Sequence, residues 1–507
     1  MLTRLKIAGF KNLVDVDIRF GPFTCVAGPN AVGKSNLFDA IRFLSTAASK
    51  TLMEAALSVR SLKASDADVR DLFHRSGTHT ANHMRFEVEM VSPKEAFDDL
   101  GQQATATANF LRYTLELRLR EGRDVATARG PLEITKEELV HIHLKQAGRH
   151  LPFSHDPVRW RKSALRVERR TAPFISTIDG EQGRVIMLHQ DGGGRGRAVS
   201  NPATQPRTVL SVANAAECPT VLCARREMES WQLLQLEPAA LREPDGINAP
   251  THLSSNGAHL ASTLYHLANN AERTGTGNAE GSAYCRAVNR LAELIADVAD
   301  LEVDRDDKRE LLTLKVTSRD GATYPAKSLS DGTLRFLALT VLEMDTNAHG
   351  VVCLEEPENG IHPERIPAML RLLQDIATDP AEPLDDTNPL RQVIVNTHSP
   401  GVVLEAPDDS LLVVESREDI AMGKPVHKAV FSHLPDTWRS RADVSARTVP
   451  NGCLLAYLNP AARPRPTTTS SYTTTLTPAS QSGQARRRVA DRDDLGPYLP
   501  GLGRVAE

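Results

Sequence analysis

The chain has no excess of positive charge: its 60 lysines and arginines face 64 aspartates and glutamates, for a formal net charge of −4. That argues against a protein that coats nucleic acid through an overall basic field, though not against one with a local basic patch. Long apolar runs are also missing. No uninterrupted stretch approaches the ~20 residues of a membrane-spanning helix, so a fused transporter is excluded and no membrane partner is expected. The start, Met1-Leu-Thr-Arg-Leu-Lys-Ile7, lacks a long apolar region and a small-residue cleavage site. No secretory signal is expected there, and a cytoplasmic location is the expectation. Cysteines are few and scattered: Cys25, Cys218, Cys223, Cys285, Cys353 and Cys453. Only Cys218 and Cys223 are close, and no second pair or histidine cluster completes a zinc site, so reduced thiols are expected. Internal repeats and sustained heptads are absent, which argues against a long coiled-coil arm.

What is present, over 507 residues, is enough chain for two or three structural units. Apolar patterning predicts strands at 2–9 and 13–20 around a tight connection at Phe10-Lys11-Asn12, and a buried strand at 23–27. A helix with Leu37, Ile41 and Leu44 on one face follows. Period-two alternation at 84–91 and 112–119 predicts half-solvated antiparallel strands. Residues 165–189 continue that pattern with a turn at Asp179-Gly180. From about 219 to 300 the spacing turns helical, with Leu260, Leu264 and Leu267 marking one helix and Val288, Leu291, Ile295 and Val298 another. Alternation returns at 310–317, a helix follows Ser330, a fully apolar strand lies at 351–354, and 391–395 form one more strand, containing Val393, Ile394 and Val395. Beyond 460 the chain is Thr/Ser-rich from Thr467 to Ser482 and then carries Arg486-Arg487-Arg488. Such a tract cannot bury enough surface to offset its ordering entropy, so 461–507 is expected to be a disordered extension.

The sharpest motif is Gly28-Pro29-Asn30-Ala31-Val32-Gly33-Lys34-Ser35, followed by Asn36. It fits G-x-x-x-x-G-K-[ST] between an apolar strand and an amphipathic helix. The glycines let successive backbone N–H groups turn inward on phosphate oxygens, Lys34 can reach the β and γ phosphates, and Ser35 can ligate Mg²⁺. The second motif is Val351-Val-Cys-Leu354-Glu355-Glu356. An apolar strand that ends in adjacent carboxylates can hold a metal with the first and polarise an attacking water with the next. Alone this pattern is weak, because strands often end in acidic residues; beside the glycine loop it is strong.

Ser328-Leu-Ser330-Asp331-Gly332-Thr333-Leu-Arg335 resembles the signature of ABC-class ATPases, in the form found in RecF-like, AAA-type bacterial ATPases related to SMC and OLD proteins. Glu355-Glu356-Pro357-Glu358-Asn359-Gly360-Ile361-His362-Pro363 resembles their acidic strand and D-loop, and Asn396-Thr397-His398-Ser399-Pro400 their switch histidine. Softer likeness extends over 2–12, 253–261 and 452–460. The resemblance implies ATP and Mg²⁺ as cofactors and a head-to-tail homodimer. In it the glycine loop of one copy holds ATP while Ser330, Asp331, Gly332 and Thr333 of the other cap the γ-phosphate. Glu356 would be the catalytic carboxylate, His398 a γ-phosphate sensor, and Ser35 with Glu355 the metal ligands. Two features depart from the pattern: Glu355 stands where an aspartate is usual, and no glutamine occurs between Asn36 and Gly101 to fill the customary loop.

The predicted fold class is α/β, an ABC-type P-loop head with a mixed sheet. It has an N-terminal half (1–92), an inserted β and helical lid region (93–300), a C-terminal half (301–460) and the tail (461–507). The expected function is ATP binding and hydrolysis in a DNA-related process such as repair, recombination or anti-phage defence. DNA enters as a partner only through the resemblance. The competing reading is a slow nucleotide switch controlling a separately encoded nuclease or toxin, which Glu355 favours. A self-contained nuclease is disfavoured, because only Asp408, Asp409, Glu415, Glu418 and Asp419 cluster after His398. Arg159-Trp160-Arg161-Lys162 with Arg166, Arg169 and Arg170 is the densest basic run. A solvated strand face explains it more simply than a nucleic-acid track with Trp160 stacking. Gly192 to Arg197 reads as a flexible loop, and His362 with Glu358 needs no metal.

Overall fold

The computed structural model describes residues 1–59, 68–76, 79–120, 131–166, 172–180, 183–191, 196–200, 205–273, 283–295, 297–421, 424–442, 447–458 and 487–492. The first two strands follow from alternation. β1 (Leu2–Phe10) and β2 (Leu13–Arg19) pair antiparallel with Ile7 opposite Val16, burying Leu5, Ile7, Val16 and Ile18. β3 (Phe23–Ala27) is buried at every residue, as a strand covered on both faces must be. The helix α1 (Lys34–Ala47) buries Leu37, Ile41 and Leu44, the stripe its spacing predicts.

β4 (His83–Val91), β5 (Phe110–Leu119), β6 (Leu132–His141), β7 (Ile175–Gly180), β8 (Gly183–Leu188) and β9 (Arg197–Ser200) complete an antiparallel sheet. Its order is β9-β8-β7-β6-β5-β4-β1-β2. The half-solvated alternation expected at 112–119 holds in β5, where Arg112, Glu116 and Arg118 reach solvent between the buried Tyr113, Leu115 and Leu117, but at 84–91 it is corrected: β4 is buried throughout residues 86–91. Its outward carboxylates, Glu87 and Glu89, are covered by the Lys6, Arg4, Arg112 and His150 side chains that pair with them.

Next come α2 (Pro219–Glu229), β10 (Gln232–Leu234), α3 (Leu260–Arg273) and α4 (Ala283–Ala292), then the hairpin β11 (Val298–Asp306) and β12 (Leu311–Ser318). The predicted helix through Val298 is shorter than expected. α4 ends at Ala292, and Val298 opens a strand in which Leu301 and Val303 continue a period-two burial. The last third supplies α5 (Asp331–Met344), β13 (Gly350–Glu355), α6 (Ile366–Ile376), β14 (Arg391–Thr397), α7 (Pro400–Glu405), β15 (Leu411–Ala421), β16 (Lys424–His433) and α8 (Asn451–Leu458).

The second sheet runs β10-β13-β14-β3-β15-β16, parallel except for the final pair. One of its faces puts Val26, Val351, Cys353 and Ile394 into a core with α1, α2 and the eight-stranded sheet. The other puts Cys25, Val352, Leu354, Val393 and Val395 against α3, α4, α5, α6 and α7. Strands from both ends of the chain thus build the head. The stretch read as inserted does not stay apart from it, since β5 and β6 extend the first sheet and β10 edges the second.

Two further expectations change. Trp160 opens a short helix, Trp160–Ala164, and is fully buried against Phe153 and His155, so it offers no base-stacking surface. Arg159 pairs with Glu382, while Arg169 and Arg170 lie outside the described residues, as do residues 192–195. In the tail, 461–486 and 493–507 lie outside the description too, but residues 487–492 return to the head. Asp408 N–H donates to Arg487 O at 2.9 Å and Val489 N–H to Ala406 O at 3.0 Å, with Val489 fully buried. Arg487 and Arg492 both donate to the Asp408 carboxylate, so this part of the tail is not the disordered extension expected.

Candidate functional site

The carboxyl ends of β3, β13 and β14 stand side by side, with Ala27 in register with Thr397 and Asn396 with Glu355. Loops that leave one edge of a parallel sheet converge on a common crevice. Here the crevice is a cavity of about 630 Å³ lined by Asn30, Ala31, Gly33, Lys34, Ser35 and Asn36, with Glu355, Glu356 and Asn396 opposite. Gly28, Pro29 and Val32 form the back of the loop. The Lys34 ammonium donates to Gly28 O at 2.5 Å and Pro29 O at 2.7 Å, so the loop is curled around its own lysine. Burial lowers the Lys34 pKa, with the carboxylates of Glu356, Glu358 and Glu355 opposing that shift. Gly33 has φ 113° and leads into α1. A β-carbon there would lie 2.5 Å from the Asn12 side chain.

That Asn12 contact is one the sequence did not advertise. Asn12 Nδ2 donates to Val32 O at 3.0 Å, and Asn36 Nδ2 donates to Asn12 Oδ1 at 2.8 Å. The Phe10-Lys11-Asn12 turn therefore props the phosphate loop from beneath. Lys11 reinforces it by pairing with Asp39 on α1 at 2.7 Å. Gln235 was missed as well. It follows β10, whose Leu234 lies beside Leu354, and it lines the cavity with Leu236 and Glu237. No glutamine follows the first helix; Gln235 stands two hundred residues later, directly after the three-residue strand β10, in a region that reads as helical. A short apolar run ending in Gln235 was the available signal.

On the acidic side, Glu355 Oε1 accepts from Asn396 Nδ2 at 3.2 Å. Glu356 has φ 45°, a strained value for a residue with a side chain. Its Oε1 lies 2.6 Å from His398 Nδ1, and its Oε2 accepts from Asn359 Nδ2 at 2.9 Å. Burial works to raise the Glu356 pKa, but the hydrogen bonds from Asn359 and His398 and the charges of His398 and Lys34 hold it below the usual value. An ionised carboxylate on an imidazole beside a phosphate loop is the arrangement a water-activating base needs. Ser35 and Glu355 are hard oxygen donors lining one cavity, and that donor set fits Mg²⁺.

The signature residues are elsewhere. Ser330 caps α5, accepting from Thr333 N–H at 3.2 Å, and Asp331 pairs with Arg242. Gly332 packs on the D-loop so tightly that a β-carbon would lie 2.1 Å from Gly360 O. None of Ser330, Asp331, Gly332 and Thr333 lines the cavity, although Arg335, one turn on, does. Glu358 and His362 do not come together: Glu358 is buried against Thr397, and His362 is exposed at the start of a short 3-10 turn. Cys218 and Cys223 are buried thiols whose pKa burial raises to about 11 and about 12, and among the described residues no three His, Cys, Asp or Glu side chains gather into a metal-binding group. No described helix is long and apolar enough to cross a membrane.

Fold and site define a P-loop nucleotide-binding head of the ABC class. A family described as "AAA domain, putative AbiEii toxin, Type IV TA system" matches residues 235–405, and one described as "AAA domain" matches residues 4–151. The DNA replication and repair protein RecF of Magnetococcus marinus is 34% identical over 104 residues. That is 20% of this chain and 24% of RecF, so the chain spans about a quarter of that relative. Among solved structures, an Smc head bound to the C-terminal winged-helix domain of ScpA is 13% identical, with a TM-score of 0.43 over 85% of this chain and 98% of its own. The SMC head domain of Thermotoga maritima is 14% identical, with a TM-score of 0.34 over the same shares. Two AAA-type domain families thus match separate stretches of the chain, and a 104-residue stretch is similar to RecF.

Proposed function

We propose that this protein binds ATP with Mg²⁺ and hydrolyses it between two copies arranged head to tail. The observation that carries the reading is the split of the site. The glycine loop, Glu355 and Glu356 gather at one cavity with His398 hydrogen-bonded to Glu356, whereas Ser330, Gly332 and Thr333 open a helix outside it. A helix N-terminus offers backbone donors to an anion, and this one stands outside the cavity, where it would meet a phosphate held by another copy. Lys34 and the loop amides would bind the β and γ phosphates, with Ser35 and Glu355 holding the metal, which when bound neutralises charge developing on the phosphoryl oxygens. Glu356 would orient and deprotonate the attacking water, and His398 would hold Glu356 in place. Cytoplasmic location belongs to the same reading.

A DNA-related task follows from the RecF likeness. The outer face of the eight-stranded sheet does not favour a phosphate track there, because Arg4, Lys6, Arg85 and Arg118 are already paired with Asp17, Glu87 and Glu133. Together with the longer Glu355, this favours the second reading: a slow nucleotide switch acting on a separately encoded effector.

Phosphate release with and without DNA separates the two. The expectation is that Glu356→Gln lowers release at least ~100-fold while retaining ATP, and that Lys34→Ala abolishes ATP binding. Unchanged release in Glu356→Gln would remove the catalytic assignment; stimulation by DNA would favour the first reading, and its absence the second.

A further inference from the structure

The D-loop carries a second buried carboxylate that the reading above does not use. Glu358 is 8% exposed, and its Oε2 has no hydrogen-bond partner. Its Oε1 accepts from the Thr397 hydroxyl. The same Thr397 oxygen accepts from Ser399 N–H at 2.9 Å. A hydroxyl has one proton, and with a lone pair committed to Ser399 that proton is aimed at Glu358. Thr397 and Ser399 flank His398, so this relay fixes the backbone on both sides of the switch histidine. The imidazole itself is held at 2.6 Å from Glu356. Glu356 and Glu358 are separated only by Pro357, whose ring locks φ, and Glu356 N–H is tied to Asn396 O at 2.9 Å. One short rigid segment therefore grips the histidine twice, at its ring through Glu356 and at its backbone through Glu358.

We propose that Glu358 is a positioning residue, acting through Thr397 to hold His398 on Glu356 in the orientation that hydrolysis requires. The inference rests on the proposed ATPase reading. Burial raises the Glu358 pKa, with the neighbouring Glu356 charge adding to the shift and the Thr397 hydrogen bond opposing it. Neither Glu358 nor Thr397 lines the nucleotide cavity, so their loss should reach turnover without passing through ATP affinity.

The test is a double-mutant cycle on the full chain. Thr397→Val keeps the shape and removes the hydroxyl; it is expected to lower kcat about 10- to 100-fold with the ATP dissociation constant changed less than about threefold. In a His398→Ala background the same substitution should cost no more than about twofold, because residues acting through one group are non-additive. Glu358→Gln, which keeps an acceptor oxygen, should cost several-fold less than Glu358→Ala, and thermal melts of all variants report folding. Thr397→Val with wild-type kcat, or with a full and independent loss in the His398→Ala background, overturns the positioning role while leaving the ATPase reading intact. A wild-type protein that releases no more phosphate than Glu356→Gln overturns both.

Discussion

Single residues decide two things that composition conceals, the state of buried charges and the shape of the phosphate loop. Glu137 on β6 is the clearest buried charge. Its carboxylate accepts from Val209 and Leu210 N–H groups at 2.8 and 2.9 Å and from the Tyr113 hydroxyl at 3.1 Å. Burial raises its pKa from 4.5 to about 7 against the opposing effect of those hydrogen bonds. Between pH 4.5 and 7 the folded protein then keeps a proton that the unfolded chain has lost, so stability should fall as pH rises through that window. The slope from this one group is up to about 1.4 kcal/mol per pH unit. Denaturant unfolding of wild type and Glu137→Gln at several pH values should show a shallower fall in the variant; parallel curves would mean that Glu137 is ionised throughout. Nothing in the alternating pattern of residues 132–141 distinguishes Glu137 from its solvent-facing neighbours, because the element that covers it, residues 207–212, is remote in sequence. Asn12 is concealed for the same reason. It reads as a turn residue, and only folding brings Val32 and Asn36 onto it.

At the scale of elements, strands and helices whose partners matter little were legible. β3, β13 and the middle of β14 are buried on both faces and so read as short apolar runs, and α1 and α5 announce themselves by spacing and by the Ser330 cap. The three-residue β10 was not legible, because an element that short has no period, and its parallel pairing with β13 makes it a strand. The signature helix meets the D-loop at Gly332, where no side chain fits beside Gly360 O. Arg335 completes the joint, donating to Asn359 O at 2.7 Å and Leu236 O at 3.2 Å. Gly332→Ala is therefore expected to displace the D-loop and to cut phosphate release at least ~10-fold, with ATP binding by the glycine loop within a few-fold of wild type. Turnover that survives the added methyl would mean that the two loops separate during the cycle.

The whole molecule raises the question of which copy completes which site. If the signature acts across a dimer, a Lys34→Ala copy and a Ser330→Arg copy are each inactive alone but complement one another. Ser330 is exposed, so the arginine should block closure without unfolding the head. Random pairing makes half the dimers mixed, each with one intact site of two, and an equimolar mixture should recover about a quarter of wild-type turnover. Recovery of none would place the signature in the same copy as the glycine loop.

The glycine loop, the acidic strand and the histidine, with their order along the chain, could be read from the residues alone. Those assignments need only a strand end, a glycine turn and a helix start, all of which are local. Only the tertiary structure decided that Trp160 is core rather than surface, that Gln235 reaches the cavity, that residues 487–492 return to Asp408, and that Glu358 grips the switch loop from behind. Each of these depends on groups brought together from distant parts of the chain. Burial and pairing across such distances are properties of the packed fold, not of any window of residues.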